Sequence, residues 1–251
     1  MEFEFVKMHG AGNDFIMVDD RTGGFPTERE LLARIGARRT GVGCEGIILV
    51  QRSERADFRM RFFNPDGGEA EMCGNGARCV AAFARRIGAV GRDRMRFETI
   101  AGDVEAEILG DTLVRIAMPP VLDLRRDFAV AGVPHRIVPV EDLDSVDVEG
   151  EGRRIRYSAE FAPAGTNVDF VKYLPPHAAN IRTYERGVEA ESGACGTGSV
   201  AAAVIGVAQH GLAFPVKVTT VKGYELTVDE SPDGVLLTGP VAFVYSGRLI
   251  F

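Results

Sequence analysis

The sequence predicts an α+β chain of two pseudo-symmetric domains, each a mainly antiparallel sheet or barrel wrapped round one central helix. Three observations predict it. Short alternating or β-branched stretches, separated by Gly, Pro, Asp or Asn, recur along the whole chain, as the strands of half-buried sheets do. A segment that opens on Glu and continues through Cys-Gly-x-Gly into small residues occurs twice, as "EAEMCGNGARCVAAFARRIGAVG" and "ESGACGTGSVAAAVIGVAQHG". Its two cysteines, Cys73 and Cys195, stand about half a chain length apart, which divides the 251 residues into similar halves, 1–118 and 119–251, at the Met118-Pro119-Pro120 break. A last strand returning to the first half is compatible with this division.

Taken in order, "EFEFVKM" places Phe3, Phe5 and Lys7 on one face and Glu2, Glu4, Val6 and Met8 on the other, the signature of a half-buried strand. Thr27 and Glu30 form an S/T-x-x-E capping box, which predicts a helix from Thr27 to about Arg39, before Gly41. "RMRFF", "RMRFETI", "GDVEAEIL" and "TLVRIAM" read as strands of the first half. "HRIVPV", "VDFVKYL", "NIRTYE", "VKVTTV", "YELTVD" and "GVLLTG" read as strands of the second. Two more helices begin just after Cys73 and Cys195. The stretch Val200–Ala208 is apolar all round, so its helix must be enclosed.

Composition narrows the function. With 45% hydrophobic residues the chain can bury a substantial core, and its 30 glycines suit many tight turns. A net charge of −7 supplies no basic footprint for nucleic acid or anionic lipid, so the expected partner is a small molecule. The first residues carry acids where a signal peptide carries a basic cluster, and the longest apolar run is too short to cross a bilayer. A cytoplasmic location is therefore expected. In that reducing setting Cys44, Cys73, Cys79 and Cys195 are expected to be thiols. They contain no C-x-x-C pair and have no closely spaced histidine, so no metal site is expected. Gly10 and Gly12 lack the third glycine and the following helix of a dinucleotide fingerprint. Cys44 and Cys79 read as small buried hydrophobes, and His9, His177 and His210 as ordinary turn or surface residues.

Cys73 and Cys195 read differently. The first N–H groups of a helix lack intrahelical partners and carry partial positive charge, and glycine lets a ligand approach them, so Cys-Gly-x-Gly at a helix start can cradle a carboxylate. The same field favours a thiolate, by only about 0.3 to 2 kcal/mol, which burial of the sulfur can cancel. Two such thiols from two similar halves suit racemisation or epimerisation. One removes the α-proton from one face of an amino acid, the other returns a proton to the opposite face, and the two exchange roles in the reverse direction. Donors at the helix starts would stabilise the planar carbanion through its carboxylate.

The motifs "KMHGAGNDF", "FFNPDGGEAEMCGNGARC", "GTNVDFV", "RTYERG" and "ACGTG", in this order from about Lys7 to Gly198, resemble those of the diaminopimelate epimerase family, which interconverts LL- and meso-diaminopimelate without pyridoxal phosphate. The resemblance implies two similar α/β halves, catalytic Cys73 and Cys195, no cofactor, and a setting in lysine and cell-wall precursor synthesis. It implies that Asn13, Asn64, Asn167, Glu185 and Arg186 bind substrate, with Arg186 taking the distal carboxylate through its planar fork. By the same resemblance Gly74, Asn75, Gly196 and Thr197 hold the α-carboxylate and His135 lines the site. Outside the motif, Glu185 and Arg186 would read as a surface ion pair. The chain departs from the family pattern at Cys44 and Glu45, at Val133 before Pro-His, and at Ser192 and Gly193. None of these removes a catalytic group. They leave open a racemase of another amino acid on the same fold. A dithiol oxidoreductase using Cys73 and Cys195, and an amino-acid-binding protein gripping a carboxylate, are the remaining alternatives. Both a monomer and a homodimer are compatible with the sequence.

Overall fold

A computed structural model describes residues 2–232 and 234–250. Its elements in chain order are β1 (Glu2–Gly10), β2 (Asn13–Asp19), α1 (Arg29–Gly36), β3 (Gly46–Gln51), β4 (Phe58–Phe63), β5 (Glu69–Ala70), α2 (Gly74–Arg86), β6 (Arg94–Thr99), β7 (Gly102–Gly110) and β8 (Leu113–Met118). There follow β9 (Val121–Arg125), β10 (Phe128–Ala131), β11 (Val133–Pro139), α3 (Val148–Arg156), β12 (Asn167–Leu174), β13 (Ala178–Glu185), β14 (Ala190–Ser192), α4 (Gly196–Gln209), β15 (Val216–Thr220), β16 (Glu225–Ser231) and β17 (Gly234–Ile250). The chain divides into two compact units. Described residues up to Ile116 and from Gly239 onward form the first, and Ala117–Thr238 the second.

In the first unit the pairings β1–β2–β3–β4–β6–β7–β8–β17–β1 close into a ring of eight strands. Neighbours joined by turns are antiparallel, whereas β2–β3 and β4–β6, joined through α1 and α2, are parallel, as a crossover connection requires. The second unit repeats this scheme. β10 and β11 form the antiparallel pair, β11–β12 is parallel across α3, β12–β13 is antiparallel, and β13–β15 is parallel across α4. β5 and β14 occupy equivalent places, each pairing with the preceding long strand just before a cysteine. The duplication first visible as Cys-Gly-x-Gly thus extends to the whole topology, with α1 matching α3 and α2 matching α4.

Small residues explain the two central helices. Every residue of α2 from Gly74 to Ala84 is buried, and it packs on β1, β2, β3 and β7. α4 buries Gly196, Gly198, Ser199, Val200, Ala201, Ala202, Ala203, Ile205 and Gly206 against β10, β11, β12, β13, β15 and β16. Ala and Gly let strand backbones come close on several sides, which a helix with one apolar stripe would not need. Each helix stops before a left-handed glycine, Gly88 at φ +68 and Gly211 at φ +73, the usual αL termination.

The outer helices differ from the sequence expectation. α1 starts at Arg29 with Glu28 as N-cap, no side chain caps it, and it ends at Gly36 rather than near Arg39, so the Thr27/Glu30 capping box does not set its bounds. Burial does. Leu32 and Ile35 enter the first unit's core beside Phe5, Ile16, Val18, Ile47 and Leu49, each such side chain worth roughly 1.5 to 3 kcal/mol. The chain then folds back, and the Ile35 carbonyl accepts from Val42 N and Gly43 N at 3.0 and 3.2 Å. α3 has no counterpart among the helices the sequence predicts. Its glycines and charges hide the periodicity, but Asp147 caps it by accepting from Gly150 N at 2.9 Å, and Val148 packs with Val168, Phe170 and Tyr184.

Candidate active site

Each unit presents its cysteine as the N-cap of its central helix, in extended backbone, so the orphan N–H groups of the first turn follow directly after the thiol. In the first unit the Cys73 thiol donates to Asn13 Oδ1 at 3.5 Å, and Asn75 Nδ2 donates to the same oxygen at 3.3 Å. The Asn13 amide nitrogen donates to the Glu45 carboxylate. Arg78, one helical turn on and fully buried, donates from Nη2 to Asn75 Oδ1 at 2.6 Å and from Nη1 to Gly74 O at 3.3 Å, while its Nε has no partner. Guanidinium only donates and carboxylate only accepts, so Arg78 at one end and Glu45 at the other fix which way both amides point. Burial pushes the Arg78 pKa down, against the field of the neighbouring thiols.

Behind this chain of bonds lies a charged cluster. Lys7 is buried, pairs with Asp14 at 2.5 Å and donates to Gly43 O, and Arg38 reaches Asp14 at 2.8 Å and Glu45 at 3.5 Å. Burial pushes the Asp14 carboxyl up, but the hydrogen bonds and charges of Lys7 and Arg38 outweigh it and hold the group below the usual carboxylate range. Gly10 is required by close approach, since a Cβ there would lie 2.8 Å from Asn75 O. Asn64 is exposed, and its backbone closes the β4–β5 turn by bonding to Gly68 O at 2.8 Å and to Gly67 N at 2.9 Å.

The second unit surrounds its thiol differently. Cys195 Sγ accepts from Gly198 N at 3.4 Å and lies 3.4 Å from Thr197 Oγ1. Thr197 Oγ1 is 3.0 Å from His135 Nε2, and His135 Nδ1 is 2.6 Å from Asp169 Oδ2. Thr183 donates to Asp169 Oδ1 at 2.6 Å. Asn167 donates to Pro134 O at 3.2 Å, lies 3.5 Å from His135 Nε2, and accepts from the Arg186 backbone N at 2.7 Å. His135 and Asp169 are both fully buried. Burial pushes the Cys195 thiol well above its ordinary range. The negative charges of Glu185 and Asp169 add to this, and the bonds from Thr197 and Gly198 oppose it.

Strand register explains the contrast between the two halves. Phe15 pairs with Gly46 across β2–β3 where His135 pairs with Asn167 across β11–β12, so Phe15 and Ile48 occupy the places of His135 and Asp169. The sequence motifs do not single out the carboxylate of Asp169 or its partner Thr183, although Asp169 sits inside "GTNVDFV". Arg78 within "CGNGARC" is likewise a buried partner of Asn75 that residue type and spacing leave unmarked.

Cys44 and Cys79 are buried and free. Burial pushes the Cys44 thiol up to about 11 and raises Cys79 further. Iodoacetamide at pH 8 is therefore expected to leave both unlabelled in the folded protein and to label them after urea unfolding, read by peptide mass spectrometry. Labelling of either at the rate of a free small thiol would contradict this burial. Among the described residues no group of three or more His, Cys, Asp or Glu could hold a metal ion, and no helix is long and apolar enough to cross a membrane.

Comparison with known proteins gives a consistent result. A family profile described as diaminopimelate epimerase matches residues 5–121 and 128–244. A protein named diaminopimelate epimerase from Aquifex aeolicus is 42% identical over 98% of this chain and 97% of its own length. One of the same name from Chlorobaculum tepidum is 43% identical over 96% and 99%. Among solved structures, a PhzF-family phenazine biosynthesis protein of Bacillus anthracis superposes with a TM-score of 0.74 at 17% identity, covering 100% of both chains. A hydroxyproline epimerase of Agrobacterium vitis superposes with a TM-score of 0.70 at 18% identity, covering 99% of this chain and 92% of that one. These two likenesses concern the fold alone.

Proposed function

The chain belongs to the diaminopimelate epimerase family of isomerases, and from that premise we propose that it interconverts LL- and meso-diaminopimelate, Cys73 and Cys195 moving the α-proton without a cofactor. One thiolate withdraws the proton from one face of the α-carbon and the other thiol delivers a proton to the opposite face. The observation that carries this is the placing of both cysteines at the same point of a duplicated topology, each as N-cap of an enclosed helix.

Each remaining residue then has a task. The helix-start groups of Gly74, Asn75, Gly196 and Thr197 hold the α-carboxylate, into which the carbanion charge spreads. Asn13, Asn64, Asn167 and Glu185 bind the rest of the substrate, Arg186 takes the distal carboxylate, and His135 supports the reacting end. Fixed amide orientation at Asn13 and Asn75 matters here because it keeps Asn13 Oδ1 turned toward the Cys73 thiol as an acceptor, a bond that a rotated amide would lose. Incubation with LL-diaminopimelate in D2O, without pyridoxal phosphate and under reducing conditions, is expected to incorporate deuterium at the α-carbon with inversion. Absence of exchange would overturn the proposal. Exchange of a different amino acid but not diaminopimelate would overturn the substrate and keep the chemistry.

A further inference from the structure

We propose that Thr197 relays the Cys195 proton to His135, which Asp169 and Thr183 hold as an internal acceptor, so that Asp169 and Thr197 are positioning residues of this thiol. The inference rests on the two-thiol reaction above and adds to it a route by which one thiol sheds its proton inside a buried setting.

The donors and acceptors run in one direction. Asp169 Oδ2, 2.6 Å from His135 Nδ1, is an acceptor, so the imidazole carries its proton on Nδ1 and leaves Nε2 free to accept. Nε2 meets two groups able to donate, the Thr197 hydroxyl at 3.0 Å and Asn167 Nδ2 at 3.5 Å, which fits the same tautomer. With its proton committed to His135, Thr197 Oγ1 accepts from the Cys195 thiol at 3.4 Å. When the proton moves, the S–H bond of Cys195 breaks as an O–H bond forms on Thr197. The original Thr197 O–H breaks as an N–H bond forms on His135 Nε2. The products are a thiolate, an unchanged hydroxyl now donating to that thiolate, and an imidazolium.

The transfer conserves charge within the cluster. Among the described residues the ion-pair partner of the fully buried Asp169 is His135, and with the ring neutral the carboxylate is held by hydrogen bonds from His135 Nδ1 and the Thr183 hydroxyl, each at 2.6 Å. Proton transfer leaves the net charge of the cluster unchanged while giving Asp169 a cation in contact. The thiolate in turn receives the Gly198 N–H at 3.4 Å. The first unit has no counterpart, because Phe15 and Ile48 stand where His135 and Asp169 would be and Asn75 replaces the hydroxyl. The duplicated scaffold therefore carries two chemically unequal thiols.

Thr197→Val, Thr197→Ser and Asp169→Asn in the full chain test this, with kcat and KM for diaminopimelate and a thermal melt recorded for each. The expected result is a kcat about 100-fold lower in Thr197→Val with KM within about threefold, recovery to within about threefold of the parent in Thr197→Ser, and a kcat at least about tenfold lower in Asp169→Asn. A Thr197→Val variant with kcat within about threefold of the parent, or one that raises KM alone, overturns the relay. Should the valine variant not fold, Asp169→Asn decides, and parental kcat there overturns it equally. Failure of the parent chain to epimerise would instead overturn the underlying reaction, so the two failures are distinguishable.

Discussion

Cys73→Ala and Cys195→Ala are each expected to lower epimerisation by about 10³-fold or more while the chain stays folded. General acid or base catalysis by one positioned group contributes roughly 10² to 10⁴, and neither alanine leaves a group able to carry a proton. The structural cost is small. Cys73 is half-buried and makes no side-chain cap bond, while Cys195 caps its own helix only weakly, by the sulfur contact to Gly198 N at 3.4 Å. Loss of such a cap costs about 1 kcal/mol, which moves the melting temperature of a chain this size by roughly 2 to 4 °C. A stricter consequence follows from the two-base scheme. With one thiol remaining, any deuterium incorporated in D2O must enter on the face it left, so exchange proceeds with retention and with only one of the two stereoisomers in each variant. Chiral chromatography with mass detection reads both quantities. Wild-type-like inversion in either variant would remove that cysteine from the mechanism.

Features encoded within one stretch of chain are legible in the amino-acid sequence itself. Cys-Gly-x-Gly followed by alanines gives a helix start at both places where it occurs, and two copies declare a duplication. Gly88 and Gly211 mark the helix ends because αL backbone suits glycine. Features that depend on which strand lies beside which are not legible there. Asp169 is one letter in a strand of alternating pattern, and its importance comes from parallel pairing with β11, which sets His135 and Asn167 side by side. Arg78 looks like an exposed helix cation, yet a helix enclosed on every side leaves it nowhere to go but inward. The Thr27/Glu30 box misleads for a related reason, since burial of Leu32 and Ile35 fixes the register of α1 more firmly than one capping bond.

The same asymmetry makes two equivalent glycines respond differently to one methyl group. Gly76 and Gly198 are the second glycines of the two Cys-Gly-x-Gly turns, and each is buried. A Cβ at Gly76 would lie 2.8 Å from Ile48 Cδ1, the far end of an apolar side chain that can turn aside, and alanine also gains about 1 kcal/mol of helix propensity. Gly76→Ala is therefore expected to change stability by no more than about 1 kcal/mol. A Cβ at Gly198 would lie 2.5 Å from Asp169 Oδ1 and 3.2 Å from its Cγ, and that carboxylate is held on both sides by His135 and Thr183. It can move only by giving up a charge-assisted hydrogen bond worth roughly 1.5 to 3 kcal/mol, on top of about 1 to 3 kcal/mol of overpacking. Gly198→Ala is accordingly expected to destabilise the chain by about 3 to 5 kcal/mol in urea denaturation, and to lower kcat at least about 100-fold in the fraction that remains folded. Equal losses in the two variants would mean that the carboxylate under α4 is free to move, and the directional hydrogen bonding assigned to Asp169 would not hold.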